Sequence, residues 1–513
     1  MTGAILGAGD LTADVEERCD VCVIGSGAGG AVLAAGLVER GLSVVMLEEG
    51  GHHTKREFDL QEGTAYPMLY QDRGTRATAD LAITILQGRA VGGTTVVNWT
   101  TCFRTPARIL EHWRSRHGVE GLDEPTLAPH FAAVEERLSI REWPEALANA
   151  NNRVLLDGCR KLGWDVGALR RNVKGCANSG YCGMGCPIDA KQSMLVTYVP
   201  DAVERGLRLY ADTRAERIET KGDRAVAVHG VVLDPATGRP NGRRVRVLPK
   251  VVVSSGGAIN GPALLLRSGL DRNGRVGKRT FLHPVVAMAA IFDEPVRAFY
   301  GAPQSIGSHQ FIDRGPEKVG FFLETPPLHP MLAATAFKSF GAGHQAFMAQ
   351  LPHIGVLIAL SVDGLLDRDE GGTVSLRGDG RVRVDYPVGP HLAESFRASS
   401  LAMARVQLAA GARRILSLHQ TPVEVTSEAD LQRLERAPYG ALEHAIFTAH
   451  QMGGCAMGAD PATSVVNARL QHHHVPNLFV VDGSVFPTAL GVNPSETIYA
   501  LAHWARDHVA AAV

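Results

Sequence analysis

The chain reads as an α/β protein with a Rossmann-like nucleotide-binding domain joined to a second, α+β domain. Three observations predict this. An apolar, β-branched run, DVCVIG at residues 20–25, stops at a glycine. A helix-spaced stretch of small and aliphatic residues, GAGGAVLAAGLVERG, follows at once. A second apolar run, SVVMLEEGG, then ends in acid at Glu48. The 513-residue length exceeds what one hydrophobic core supports, so more than one domain is expected.

The N-terminal stretch opens weakly apolar with no Lys or Arg before it, a poor secretory signal, and a cytoplasmic location is the default expectation. Gly25, Gly27 and Gly30 form G-x-G-x-x-G between strand and helix. The first allows the tight turn, the second a close approach of backbone to pyrophosphate, and the third close helix–strand packing. The helix N-terminus offers N–H groups and a positive dipole end to phosphates. Glu48 falls where a carboxylate accepts from ribose hydroxyls, which a glycine turn serving packing alone does not explain. This fingerprint does not separate FAD from NAD.

Further along come GRAVGGTTVVN at 88–98, GGAINGPALLLRSGL at 256–270 and GRVGKRTFLHP ending at His283 and Pro284. The chain closes with HQMGGCAMG from His450 and LFVVDGSVFPTALGVNPSETIYALAHWARD from Leu478. These blocks, in this order, resemble the glucose–methanol–choline (GMC) family of FAD-dependent oxidoreductases, nearest in motif to long-chain alcohol oxidases and cholesterol oxidases. The resemblance implies FAD as cofactor. It lays Gly92, Gly93 and Thr94 along the flavin and its diphosphate and puts Asn98 near the isoalloxazine. Two departures stand out: Gly261 replaces the usual Ser or Thr, and Asp271 a following Gly. The order of segments implies a discontinuous FAD-binding domain from 15–105, 190–295 and 440–513. Segments 106–189 and 296–439 form the substrate-binding part on an antiparallel sheet, to which VSLRGDGRVRVDYPV contributes alternating strands around a tight turn.

Oxidising an alcohol removes a proton from oxygen and a hydride from carbon. Flavin N5 takes the hydride, so the protein must supply a base and an orienting donor. His has the side-chain pKa nearest neutrality, which makes His450 the natural base. The resemblance pairs His450 with Asn493, the latter holding the substrate oxygen, and Gly453 and Gly454 keep the backbone slim beside a planar cofactor. Taken alone, a His is more often structural and an Asn before Pro a turn residue; the matched motifs reverse those odds. Asp482, at the end of an apolar run, either caps the next helix or hydrogen-bonds the ribityl chain; cofactor contact is favoured.

Eight Cys in 513 residues are too few for a disulfide scaffold, but Cys176, Cys182 and Cys186 cluster as C-x5-C-x3-C before Pro187. Three converging thiolates would suit an iron–sulfur cluster. The spacing resembles the cluster loop of flavin subunits in multi-subunit dehydrogenases, whereas the following AKQS tail resembles long-chain alcohol oxidases. A structural loop, with or without a disulfide, is the alternative. The triple His472, His473 and His474 reads as a solvated loop. The apolar stretch 329–364 resembles the lipophilic-substrate region of long-chain alcohol oxidases, so a long or bulky alcohol is expected. The alternative is a sugar or polyol oxidised by a dehydrogenase subunit with an iron–sulfur relay. O2 or another acceptor takes the electrons. With 52 basic against 53 acidic residues, nothing calls for nucleic acid, and no apolar run reaches the ~20 residues of a membrane span.

Overall fold

The computed structural model describes residues 3–513. Its first large sheet runs Ala4–Leu6, Arg208–Tyr210, Val44–Leu47, Val15–Ile24, Pro240–Ser254, Arg224–Leu233 and Thr213–Lys221, with Leu478–Val480 also on Pro240–Ser254. The centre is parallel: Val21 lies opposite Val44 and Val251, and Val252 opposite Leu478. These strands are apolar on both faces, and Val21, Cys22, Val23 and Val251 are fully buried. The helix Ala28–Glu39 packs against the last helix, Ser495–Ala510. The N-terminal stretch supplies the edge strand Ala4–Leu6; its first two residues lie outside the described ones.

The second sheet is almost wholly antiparallel: Glu424–Val425, Arg414–Ser417, Val285–Ile291, Ile354–Ser361, Phe321–Glu324, Ile306–Ser308 and Gly167–Ala168. Ile446–Thr448 pairs with Val285–Ile291 and carries Ile83–Ile85 on its other side in the one parallel pairing. Thus 15–105, 190–295 and 440–513 each send a strand into this sheet beside strands from 106–189 and 296–439. The helices Ala150–Leu162 and Pro390–Ala409 pack on it.

The hairpin Gly372–Leu376/Val382–Asp385 forms as its alternation suggests, but it joins Lys278–Phe281 and Met452–Gly453 in a separate four-stranded sheet. Among the described residues no helix is long and apolar enough to cross a membrane.

Candidate active site

A cavity of about 860 Å³ opens between the sheets and is lined by every predicted cofactor-side residue except Gly30 and Gly92. The two glycine-rich turns meet there. Gly93 has φ +57°, and a Cβ on it would lie 2.7 Å from the Gly27 Cα, so the second turn has no room for a side chain where it meets the first. Glu48 Oε2 accepts from the Ser26 N–H at 2.9 Å and the Ser26 hydroxyl at 2.7 Å, and Oε1 accepts from the Gly50 N–H at 2.7 Å. The Ser26 Oγ in turn accepts from the Gly92 N–H at 2.9 Å, linking the first fingerprint to the second.

The cavity suits FAD. The helix Ala28–Glu39 begins on its wall with no side-chain cap, leaving its first N–H groups for an anion. The Asn98 Oδ1 is buried without a partner. Asp482 caps its own turn through the Ser484 N–H at 2.8 Å and accepts from the Gly257 N–H at 2.7 Å, so it also anchors the second signature. Gly453 and Gly454 do not line the cavity. Side chains there would strike the Arg279 carbonyl at 1.9 Å and Pro262 at 2.8 Å, so their slimness serves protein packing rather than the cofactor.

Strand register brings the reactive groups together. Phe281 lies opposite Met452 in an antiparallel pair, and two residues further along each segment His283 meets His450. Their Nδ1 atoms are 3.1 Å apart. His450 Nε2 lies 3.4 Å from Asn493 Nδ2, which itself lies 3.5 Å from Glu324 Oε2. His283 Nε2 accepts from the Gly491 N–H at 3.2 Å, tying the pair to the loop that carries Asn493. Burial pushes the His450 pKa down to about 4, and burial with the neighbouring His450 pushes His283 well below its ordinary value. Both imidazoles are neutral at pH 7. Glu324 is pushed up to about 8 by burial, opposed only by the Asn493 and Gln304 amides, so it too is neutral there.

His283 and Glu324 were not singled out from the sequence. The signal for Glu324 was present: a lone carboxylate in the apolar run GFFLETPPL. That for His283 was its place in a matched block with no assigned role.

The structure does not support a metal at the cysteine cluster. Cys176, Cys182 and Cys186 line one small cavity with Lys191, yet among the described residues no three His, Cys, Asp or Glu are gathered to hold a metal ion. Their partners are other: the Cys186 Sγ accepts from the Lys191 N–H at 3.5 Å, and the Cys182 Sγ from Arg171 Nη2 at 3.7 Å. Lys191 Nζ donates to the Val96 carbonyl, to Asn98 O at 3.0 Å and to Cys182 O at 2.7 Å. The loop is therefore a clasp on the cofactor-facing turn, and all eight cysteines are free thiols. His472 is likewise not solvated; it is buried, with Nε2 3.2 Å from the Leu270 carbonyl. Of the stretch 329–364 only the strand reaches the cavity, through Ile358 and Leu360. The helices Pro330–Ala336 and Gly341–Met348 lie at the surface, with Phe340 exposed.

The N-terminal profile of the GMC oxidoreductases matches residues 66–285, and the C-terminal profile residues 368–502. An uncharacterized GMC-type oxidoreductase of Mycobacterium tuberculosis is 34% identical over 501 residues, covering 97% of this chain and 76% of the relative. A long-chain-alcohol oxidase of Arabidopsis thaliana is 30% identical over 512 residues, 95% of this chain and 68% of the relative. Among solved structures, pyridoxine 4-oxidase from Mesorbium loti superposes with TM-score 0.71 at 20% identity, covering 96% of this chain and 99% of that one. Formate oxidase of Aspergillus oryzae superposes with TM-score 0.70 at 14% identity, covering 96% and 98%.

Proposed function

Because the chain belongs to the GMC oxidoreductase family and is an FAD-dependent alcohol oxidoreductase, we propose that it oxidises a lipophilic or long-chain alcohol held by His450 and Asn493. Bound FAD supplies the hydride acceptor. The residues of this chain do the rest. Asn493 and His450 hold the substrate oxygen between them, and His450 Nε2 takes the hydroxyl proton once it is bare, the low pKa keeping the imidazole neutral. Gly25, Gly27, Gly30, Glu48, Gly92, Gly93, Thr94, Asn98 and Asp482 form the cofactor side. The FAD-binding domain takes 15–105, 190–295 and 440–513, with 106–189 and 296–439 supplying the substrate part.

The observation that carries this reading is the His450–Asn493 contact at 3.4 Å on the wall of the 860 Å³ cavity. The lipophilic substrate is supported by Val285, Ile358, Leu360 and Phe447, an apolar wall of the same cavity, and by the likeness to a long-chain-alcohol oxidase. Electrons pass to O2 or another acceptor.

The test is anaerobic mixing with a panel of alcohols while the flavin band is followed. Long-chain primary alcohols should bleach it faster than free sugars. His450→Gln should keep its flavin and lose about 10²–10⁴ in reduction rate, the usual worth of a positioned base. Near-normal reduction by that variant rules out the role given to His450, and preference for sugars rules out the substrate class. Iron analysis of the same preparation should find no stoichiometric metal.

A further inference from the structure

The proton positions on the two facing histidines follow from donors and acceptors alone. The Gly491 N–H can only donate, so the His283 Nε2 that receives it at 3.2 Å must be a bare lone pair. A neutral His283 then carries its one proton on Nδ1. That proton points at His450 Nδ1, 3.1 Å away, which must in turn be bare. A neutral His450 is left with its proton on Nε2, facing Asn493. With Nε2–H there, the Asn493 amide turns its oxygen toward His450 and Glu324 and its NH2 to the side on which no protein partner exists.

We propose that His283 is a positioning residue that sets the tautomer of His450, and that the Gly491 amide latches the pair in the donor form until the loop carrying Asn493 shifts. This rests on the reading of His450 as the base. In the latched form His450 can hold a substrate oxygen through Nε2–H but cannot take a proton there. The base-ready form has the same number of protons. The shared proton crosses from His283 Nδ1 to His450 Nδ1, His450 Nε2 releases its proton to solvent, and His283 Nε2 takes one up. That last step requires the Gly491 N–H to withdraw. Gly491 and Asn493 share the turn GVNPSET, so a substrate oxygen that draws Asn493 toward it also pulls on the latch. Both histidines are held neutral by their surroundings, which keeps the two-proton count over the working pH range.

The experiment is nitrogen NMR of FAD-loaded protein labelled with ¹⁵N at its histidine rings, the His450 signals being those missing from His450→Gln. In the substrate-free wild type, His450 should show a pyrrole-like Nε2 and a pyridine-like Nδ1, and His283 the reverse. A bare Nε2 on resting His450 overturns the proposal on the wild-type spectrum alone. In His283→Asp a carboxylate, which can only accept, replaces the imidazole and should invert the His450 pattern. It should also raise the flavin-reduction rate about 2–10-fold, the worth of the one hydrogen bond no longer broken. An inverted pattern without a faster reduction overturns the latch while leaving the tautomer assignment standing. Failure of the base reading looks different: His450→Gln then keeps its rate, whatever tautomer the wild type shows.

Discussion

Glu324 sits behind Asn493 with no charge beside it to balance its own. Gln304 Nε2 donates to its Oε2, since Gln304 Oε1 is already taken by the Thr101 hydroxyl at 3.0 Å; Oε1 of Glu324 has no partner. His450 lies on the far side of the Asn493 amide. A neutral Glu324 can donate to the Asn493 oxygen and leave the NH2 free for substrate. An ionised one can only accept, and it draws the NH2 away. With the pKa raised to about 8, the neutral form holds below that pH and is lost above it. Turnover should therefore fall along an alkaline limb near pH 8, and Glu324→Gln, which cannot ionise, should lack that limb while retaining flavin. A limb that persists in the variant rules out Glu324 as its source. At this scale much was legible: His450 and Asn493 lay in matched motifs, and the structure brings them within contact. Glu324 and His283 were not, because their roles arise from a partner 169 residues away in one case and 167 in the other. A lone carboxylate in an apolar run and a histidine in a matched block flag the two positions, but pairing over such separations leaves no local pattern for their roles.

The glycine-rich turns act as elements, through their contact with one another. Replacing Gly93 by Ala asks a side chain to adopt a left-handed backbone, which costs about 1–3 kcal/mol. It also forces Cβ to 2.7 Å from the Gly27 Cα, backbone that cannot swing aside. Gly93→Ala should lose most of its flavin and melt at a lower temperature. The control is Gly343→Ala, in the surface helix Gly341–Met348 with nothing near its Cβ, where melting should hold or rise by up to ~1 kcal/mol in stability. If Gly93→Ala keeps a full complement of flavin, the two turns do not need to touch. The elements of the nucleotide side could be read because each carries its own signature: apolar run, glycines, helix, acid. The joining strands could not. Ile83–Ile85 and Ile446–Thr448 are three residues each and pair across more than three hundred positions. The hairpin at 372–385 had a clear alternation, but alternation does not say which neighbour a strand will take, and it went to a third sheet. The cysteine loop misled for a related reason. Spacing suggested ligands, while the buried Lys191, closing the loop on carbonyls, decides its geometry.

Over the whole molecule, two sets of buried groups oppose each other as pH changes. Burial holds His117, His329, His444, His450, His472 and His503 at about 4 in the folded state, against ~6.5 unfolded. Between those values the unfolded chain binds more protons, so these histidines make stability rise with pH up to ~6.5. Burial has the opposite effect on carboxyls. Glu324 and Glu496 are raised to about 8 and Asp363 to about 7, against ~4 unfolded. There the folded state binds more protons, so stability falls as pH rises through the same range and on to about 8. Below ~6.5 the histidines outnumber the carboxyls; above it they have finished titrating and the carboxyls dominate until pH nears 8, where Lys191, pushed down to about 8 by burial, begins to oppose them. Stability should therefore peak near pH 6.5 and be lower at 8. Melting curves from pH 4.5 to 8.5, with FAD in fixed excess because bound ligand shifts Tm, should show the maximum between about 6 and 7. Glu324→Gln should flatten part of the decline above pH 6.5, and a Tm that keeps rising to pH 8.5 would mean that these carboxyls are ionised in the folded protein.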